Sequence, residues 1–262
     1  MTLGTQMPQG DVSPCPIIVA KGLTMEFAGF KAVDDVDLDV QEGRIHALIG
    51  PNGAGKTTLF NMLTKFLTPT RGSIFYRGTD VTPLSATEIA RLGVIRSFQI
   101  SSIFSHLTVL ENVQVPLQRK NGLTMRFWQS EAVLRTLEAE ADALLDTVGM
   151  LDSRNVEAGN LPYGQKRILE LAVTLALDPA VMLLDEPIAG IAYEDIDRIT
   201  HLIRKISANR TTVMVEHNLG VVAKLCDRVT VLQRGRILAD GSYAEVSQNP
   251  QVRKAYMGAT DE

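Results

Sequence analysis

The stretch Gly50-Pro51-Asn52-Gly53-Ala54-Gly55-Lys56-Thr57, followed by Thr58, decides how the chain is read. It satisfies G-x-x-x-x-G-K-[ST], a phosphate-binding loop, provided that a strand enters it and a helix leaves it. Ile45-His46-Ala47-Leu48-Ile49 is the apolar run that enters, and Leu59, Met62, Leu63 and Phe66 recur beyond it at helical spacing. Gly50, Gly53 and Gly55 let the backbone wrap an anion with its N–H groups pointing inward. The positive end of the following helix dipole reinforces that field. Lys56 is then expected to reach the β- and γ-phosphates of a nucleotide, and the Thr57 hydroxyl to ligate Mg²⁺. The competing reading is a Gly-rich turn before an ordinary core helix. The strand–loop–helix context disfavours it.

A second group of residues belongs with this loop. Val181-Met182-Leu183-Leu184 is an apolar run that ends in Asp185-Glu186 and then Pro187. Asp185 at a strand end is placed to hold Mg²⁺ through water, and Glu186 to orient or deprotonate an attacking water. An exposed acidic turn is the plain alternative, and it is improbable downstream of a phosphate loop.

Composition sets the bounds. With 262 residues the chain can build a proper core in one large or two small domains. The formal charge of −4 comes without any long basic block, so no nucleic-acid partner is expected. Cys15 and Cys226 lie far apart without metal-ligand spacing and fit a reducing compartment. No apolar stretch approaches a membrane span, and residues 1–16 lack the basic and apolar regions of a secretion signal. They read as a flexible tail, and the chain as cytosolic.

Along the chain, residues 17–27 and 32–40 alternate as antiparallel strands with one wet face. Further strands are expected at 73–76, 94–99, 180–184, 211–215 and 229–232. Ser85 with Glu88 three residues on predicts a capped short helix through Arg91. Helical periodicity covers 107–117 and 131–148, separated by a basic and aromatic segment, 119–128, and returns at 165–177 and 196–206. The fold class is therefore α/β: a phosphate-loop NTPase core (RecA-like), an N-terminal antiparallel β subdomain and an inserted helical subdomain. One domain over 17–258 is expected, with 17–99 and 161–235 as core, 100–160 as the helical insertion and 236–258 as a small C-terminal unit.

Leu161-Pro162-Tyr163-Gly164-Gln165, between the insertion and the strand ending Asp-Glu-Pro, resembles the L-S-G-G-Q signature of ATP-binding cassette (ABC) ATPases. The resemblance extends over residues 17–258. It implies head-to-tail pairing, in which the signature of one subunit closes over the phosphate loop of another, same or related, with ATP and Mg²⁺ between them. It also implies that Phe27 stacks on adenine, with Phe30 as the rival, and that Gln99 touches Mg²⁺ or the attacking water. His217 would contact the γ-phosphate, and Ala189-Gly190-Ile191 would form the loop between subunits. The runs Arg96-x-Phe98-Gln99, Leu107-Thr108-Val109-Leu110-Glu111-Asn112, Tyr163-Gly164-Gln165 and Arg253-Lys254-Ala255-Tyr256-Met257-Gly258 resemble the branched-chain amino-acid uptake subfamily. Urea and lipopolysaccharide systems share some of these features.

That resemblance implies the ATPase subunit of a membrane importer, peripheral on the inner face of the cell membrane. Its partners would be permease subunits and, indirectly, an extracytoplasmic binding protein. A soluble ABC ATPase and a weakly active regulatory subunit are the alternatives. Pro162, Tyr163 and Ala192 depart from the family's Ser, Gly and Asp or Asn. A lost hydrogen bond to a charged group costs about 1.5–3 kcal/mol, so slower closure or turnover is expected. Ile103, Phe104 and Leu107 are read either as insertion core or as a docking patch for the membrane subunits.

Overall fold

The computed structural model describes residues 16–97, 103–122 and 131–257. Two-residue periodicity builds its first sheet. In β2 (Phe30–Gln41) Val36, Leu38 and Val40 face inward while Asp37 and Asp39 face water. β1 (Pro16–Phe27) pairs antiparallel with β2 through Ala28 and Gly29, both at positive φ, as a tight hairpin turn requires. β4 (Arg71–Tyr76) and the short β5 (Thr79–Asp80) complete the order β2-β1-β4-β5.

The second sheet has the order β10-β9-β3-β8-β7-β6. Its strands are β3 (Ile45–Ile49), β6 (Val94–Arg96), β7 (Val181–Asp185), β8 (Thr211–Val215), β9 (Arg228–Gln233) and β10 (Arg236–Gly241). All pairings are parallel except β10 on β9. Every residue of β3, β7 and β8 is buried, the signature of a sheet covered on both faces. Leu48, Leu183, Val213 and Val215 face a core shared with the first sheet and α1 (Lys56–Leu63). Ala47, Ile49, Met182, Leu184 and Met214 face the opposite way. There they meet α5 (Tyr163–Leu175), α6 (Tyr193–Ser207), α7 (Leu219–Leu225) and the inserted helices α3 (Val109–Lys120) and α4 (Glu131–Val148). α2 (Ala86–Arg91) precedes β6, and α8 (Tyr243–Gln248) and α9 (Pro250–Met257) close the described chain.

The fold is α/β, a phosphate-loop NTPase core with an antiparallel sheet and an inserted pair of helices. Because β3, β7 and β8 are parallel, their C-terminal ends deliver Gly50, Glu186 and Glu216 to one edge of the sheet. That edge is where the site lies.

Local differences from the periodicity have identifiable causes. α1 ends at Leu63 because Lys65 turns to positive φ, so Phe66 leaves the helix and is half exposed. α5 starts at Tyr163, since Pro162 at φ −57°, ψ 155° supplies the helix entry. Thr108 and Glu111 form a capping box that moves the start of α3 to Val109. The Ser85–Glu88 box is present as the spacing predicts. Within the expected C-terminal unit, β10 pairs with β9 and so extends the main sheet.

Candidate functional site

The phosphate loop is shaped by close backbone approaches. A Cβ at Gly50 would lie 2.2 Å from the Leu232 carbonyl oxygen, and one at Gly55 would lie 2.4 Å from that of Ala32. Both residues have positive φ, so only glycine fits either position. The loop is held to its surroundings by Gly235 N–H donating to Ala54 O (2.9 Å) and Asp34 N–H donating to Gly235 O (2.8 Å). Gly55 is the N-cap of α1 and offers no capping side chain, which leaves the first helical amides to an anion. Lys56 is buried, and its ammonium donates to Gly50 O at 2.8 Å and Pro51 O at 3.0 Å. Burial lowers its pKa, and the nearby charge of Glu186 partly offsets that. Thr57 is exposed and Thr58 half-buried.

At the end of β7, Asp185 Oδ2 accepts from Arg96 at 2.6 Å. The same guanidinium donates to Asn61 Oδ1 at 2.5 Å and lies over the Phe60 and Phe66 rings. Glu186 sits at φ 47°, a left-handed conformation that a non-glycine residue holds only when its surroundings impose it. Its N–H donates to Val215 O at 3.0 Å, tying the exit of β7 to the end of β8. Its side chain meets His217, Oε1 to Nε2, at 2.9 Å. Next to His217, Glu216 is buried and accepts N–H groups from Ile188, His217 and Asn218.

Leu161 is buried and Pro162 and Tyr163 are exposed, at the entry to α5, with Gly164 and Gln165 half-buried in its first turn. The Tyr163 hydroxyl donates to Ala189 O at 3.1 Å, and its ring lies 3.1 Å from where a Cβ on Gly190 would be. The signature-like stretch and the Ala189-Gly190-Ile191 loop therefore touch within one chain. Phe27 faces Phe30 across the hairpin mouth, and both are exposed, Phe30 more so (69 % against 44 %). Gln99 lies outside the described residues. An open cleft of about 750 Å³ borders Pro51, Asn52, Gly53 and Ala54, but Phe27, Thr57 and Glu186 do not line it.

The family described as ABC transporter matches residues 33–189, a span that includes the phosphate loop, the signature-like stretch and Asp185-Glu186. The chain belongs to this family. A second family, described as branched-chain amino acid ATP-binding cassette transporter, matches residues 236–262. The chain is 39% identical over 253 residues to the high-affinity branched-chain amino acid transport ATP-binding protein LivG of Salmonella typhimurium, covering 93% of this chain and 98% of the relative. It is 40% identical over 253 residues to the corresponding protein BraF of Pseudomonas aeruginosa, with the same coverage. Among solved structures, an ATP-binding cassette of an ABC transporter in its ADP conformation superposes with a TM-score of 0.82 at 29% identity, covering 93% of this chain and 99% of that one.

ATP is the ligand that an ABC cassette binds, and the loop geometry fits its phosphates. The donor chemistry is compatible with Mg²⁺ as well: the Thr57 hydroxyl and the Asp185 carboxylate are hard oxygen donors, the carboxylate being paired with Arg96 in this structure. Sequence reasoning did not pick out Arg96 as the partner of Asp185, nor Glu216 at all. The one available signal was a carboxylate directly after an apolar strand and directly before His217, which demands a buried partner. Cys226 is half-buried, its Sγ 3.5 Å from Met214 Sδ, and desolvation pushes its thiol up to about 12, well away from a reactive thiolate.

Proposed function

We propose that this chain is the ATP-hydrolysing subunit of a membrane importer for branched-chain or related amino acids. The roles follow from the arrangement above. The loop amides and the α1 N-terminus receive the phosphates of ATP, with Gly50, Gly53 and Gly55 allowing the close approach. Lys56 exchanges its hydrogen bonds to Gly50 O and Pro51 O for the β- and γ-phosphates. Thr57, Asp185 and Gln99 are assigned to Mg²⁺, which when bound neutralises the charge developing on the phosphates. Glu186 accepts the proton of the attacking water, and His217, hydrogen-bonded to Glu186, reaches the γ-phosphate. Phe27 supplies an adenine stack worth about 0.5–1.5 kcal/mol beyond burial.

The single observation that carries the reading is the Glu186–His217 pair. A carboxylate held in a left-handed backbone conformation, 2.9 Å from an imidazole, stands beside a phosphate loop. Both side chains are nearly half exposed, so the site is open to water until another surface covers it. A second cassette, presenting its Leu161-to-Gln165 stretch, is that surface. Closure and opening of the pair would drive permease subunits, with the cassettes on the inner face of the membrane and a binding protein on the other side. No helix among the described residues is long and apolar enough to cross a membrane, so the transmembrane path is assigned to the permeases.

Glu186→Gln tests the assignment. The carboxamide keeps the size of the side chain but accepts no proton, and a positioned base contributes about 10²–10⁴-fold. ATP binding is expected to persist while single-turnover hydrolysis falls by that factor. Wild-type turnover would remove Glu186 from the role. The transported class is tested separately, by co-purifying the permeases and measuring ATP-dependent leucine uptake in vesicles.

A further inference from the structure

Glu216 is 3 % exposed at the end of a strand whose other residues are uncharged and buried. Burial raises its carboxyl to about 7. Such a group destabilises the fold unless its oxygens are used. They are fully used. Oε1 accepts the Ile188 N–H at 3.2 Å, and Oε2 accepts those of His217 at 3.1 Å and Asn218 at 3.5 Å. The last two bonds are local. The first reaches across 28 positions to a different strand exit, two residues beyond Glu186.

The geometry points to Glu216 as a positioning residue for ATP hydrolysis: it locks the segment that follows Glu186 to the segment that carries His217, and so sets how those two side chains meet. This rests on the reading that Glu186 and His217 act on ATP. Its physical basis is the strain at Glu186. A left-handed glutamate is retained only if both flanks are pinned. The N-terminal flank is pinned by Glu186 N–H to Val215 O. On the other flank Ala189 N–H closes only a local turn onto Glu186 O, and Arg167 reaches that same carbonyl at 3.4 Å. The Glu216–Ile188 bond is the link from this flank to the His217 segment. Without it, Ile188 is free to drift from His217, and the Glu186 carboxylate drifts with it.

Two variants of the full-length chain separate this role from a local cap. Glu216→Gln is nearly isosteric, but one of its two polar atoms is a donor facing a donor. Either Ile188 or the His217–Asn218 pair therefore loses its acceptor. Glu216→Asp keeps a carboxylate for the local N–H groups and is too short for Ile188. For both variants kcat is expected to fall on the order of 10²-fold, the scale of a reacting group misplaced by about an ångström. Affinity for a non-hydrolysable ATP analogue should be unchanged. Amide hydrogen exchange should accelerate together in residues 186–191 and 216–219. Wild-type kcat in Glu216→Asp would overturn the proposal. So would a kcat loss matched by loss of nucleotide affinity, or faster exchange confined to 217–218. The Glu186→Gln control distinguishes the two readings: normal hydrolysis there removes the catalytic role of Glu186, whereas the exchange coupling still reports on Glu216 alone.

Discussion

Gly164 shows how much a single position in the signature-like stretch can decide. It sits in the first turn of α5, and a Cβ there would lie 3.5 Å from Asp195 Oδ2, an ordinary contact. Gly164→Ala is therefore expected to fold and hydrolyse ATP. Gly164→Asp instead would, in the proposed pairing, bring a carboxylate to the triphosphate of the facing cassette and should abolish hydrolysis that depends on pairing. The measurement is ATPase rate against protein concentration for both variants, with nucleotide affinity as the control. If Gly164→Asp keeps wild-type turnover, this stretch does not close over a partner's ATP. Pro162 adds a qualification at the same scale: it lacks the hydroxyl of the family's serine, but it pre-sets the entry to α5. The phosphate loop was legible because its chemistry demands glycines at fixed spacing, and Gly50 and Gly55 meet backbone oxygens that no other residue would tolerate. Glu216 was only half legible: its place directly after an apolar strand hints at burial, but the sequence does not show that its partner across the fold is Ile188, 28 positions away.

At the scale of elements, long periodic segments were readable and edges were not. α4 and β8 have the bounds that their apolar patterns predict, 131–148 and 211–215. β10 escaped because Arg236–Gly241 is only partly buried at a sheet edge, and α7 because seven residues carry too little periodicity. The pairing of β3, β9 and β10 also encloses a titratable group. His46 Nε2 donates to Thr230 Oγ1 at 2.7 Å, Thr230 donates on to Asp240 at 3.0 Å, and His46 Nδ1 has no hydrogen-bond partner among the described residues. Burial lowers the pKa of His46 from 6.5 to about 4, with Asp240 opposing and Arg228 adding to the effect. Between those values the unfolded chain binds the extra proton, so this contribution is present above pH 6.5 and is lost as pH falls toward 4. The loss amounts to about 3 kcal/mol at the conversion of 1.36 kcal/mol per pKa unit. Glu216 works in the opposite sense: its pKa is raised from 4.5 to about 7, so its contribution grows as pH falls through that window. The two slopes partly cancel in the wild type. In His46→Gln, urea unfolding from pH 7 to pH 4 should therefore show a shallower acid loss than in the wild type. Identical slopes would mean that His46 takes up its proton in the folded chain as it does in the unfolded one.

At the scale of the whole molecule, the question is how hydrolysis at one edge of the sheet is felt by a membrane partner. We propose that the segment entering α3 makes contact with that partner. Ile103 is buried in the core that holds the inserted helices, which corrects any reading of the whole stretch as surface. Phe104 is 54 % exposed, while its backbone is fixed on both sides by buried Asn112: Phe104 N–H donates to Oδ1 at 2.9 Å, and Nδ2 donates to Phe104 O at 3.1 Å. The same amide also reaches the carbonyls of Leu107 and Thr108. An aromatic ring presented to water on a pinned backbone costs solvation without adding to the core, which is the profile of a partner contact rather than of packing. A short helix of the permease subunit is the expected occupant, and movement of the insertion on ATP binding would carry it along. Phe104→Ala should accordingly leave the thermal stability and ATP affinity of the purified subunit at wild-type values. It should weaken its recovery with the permeases and the hydrolysis that transport stimulates. Asn112→Ala is the counterpart: it frees the backbone under the ring, so stability and assembly should fall together. The measurements are thermal unfolding, nucleotide titration and pull-down with the permease subunits, made on all three proteins. Loss of stability in Phe104→Ala without selective loss of assembly would return Phe104 to the core and leave the docking surface elsewhere on the insertion.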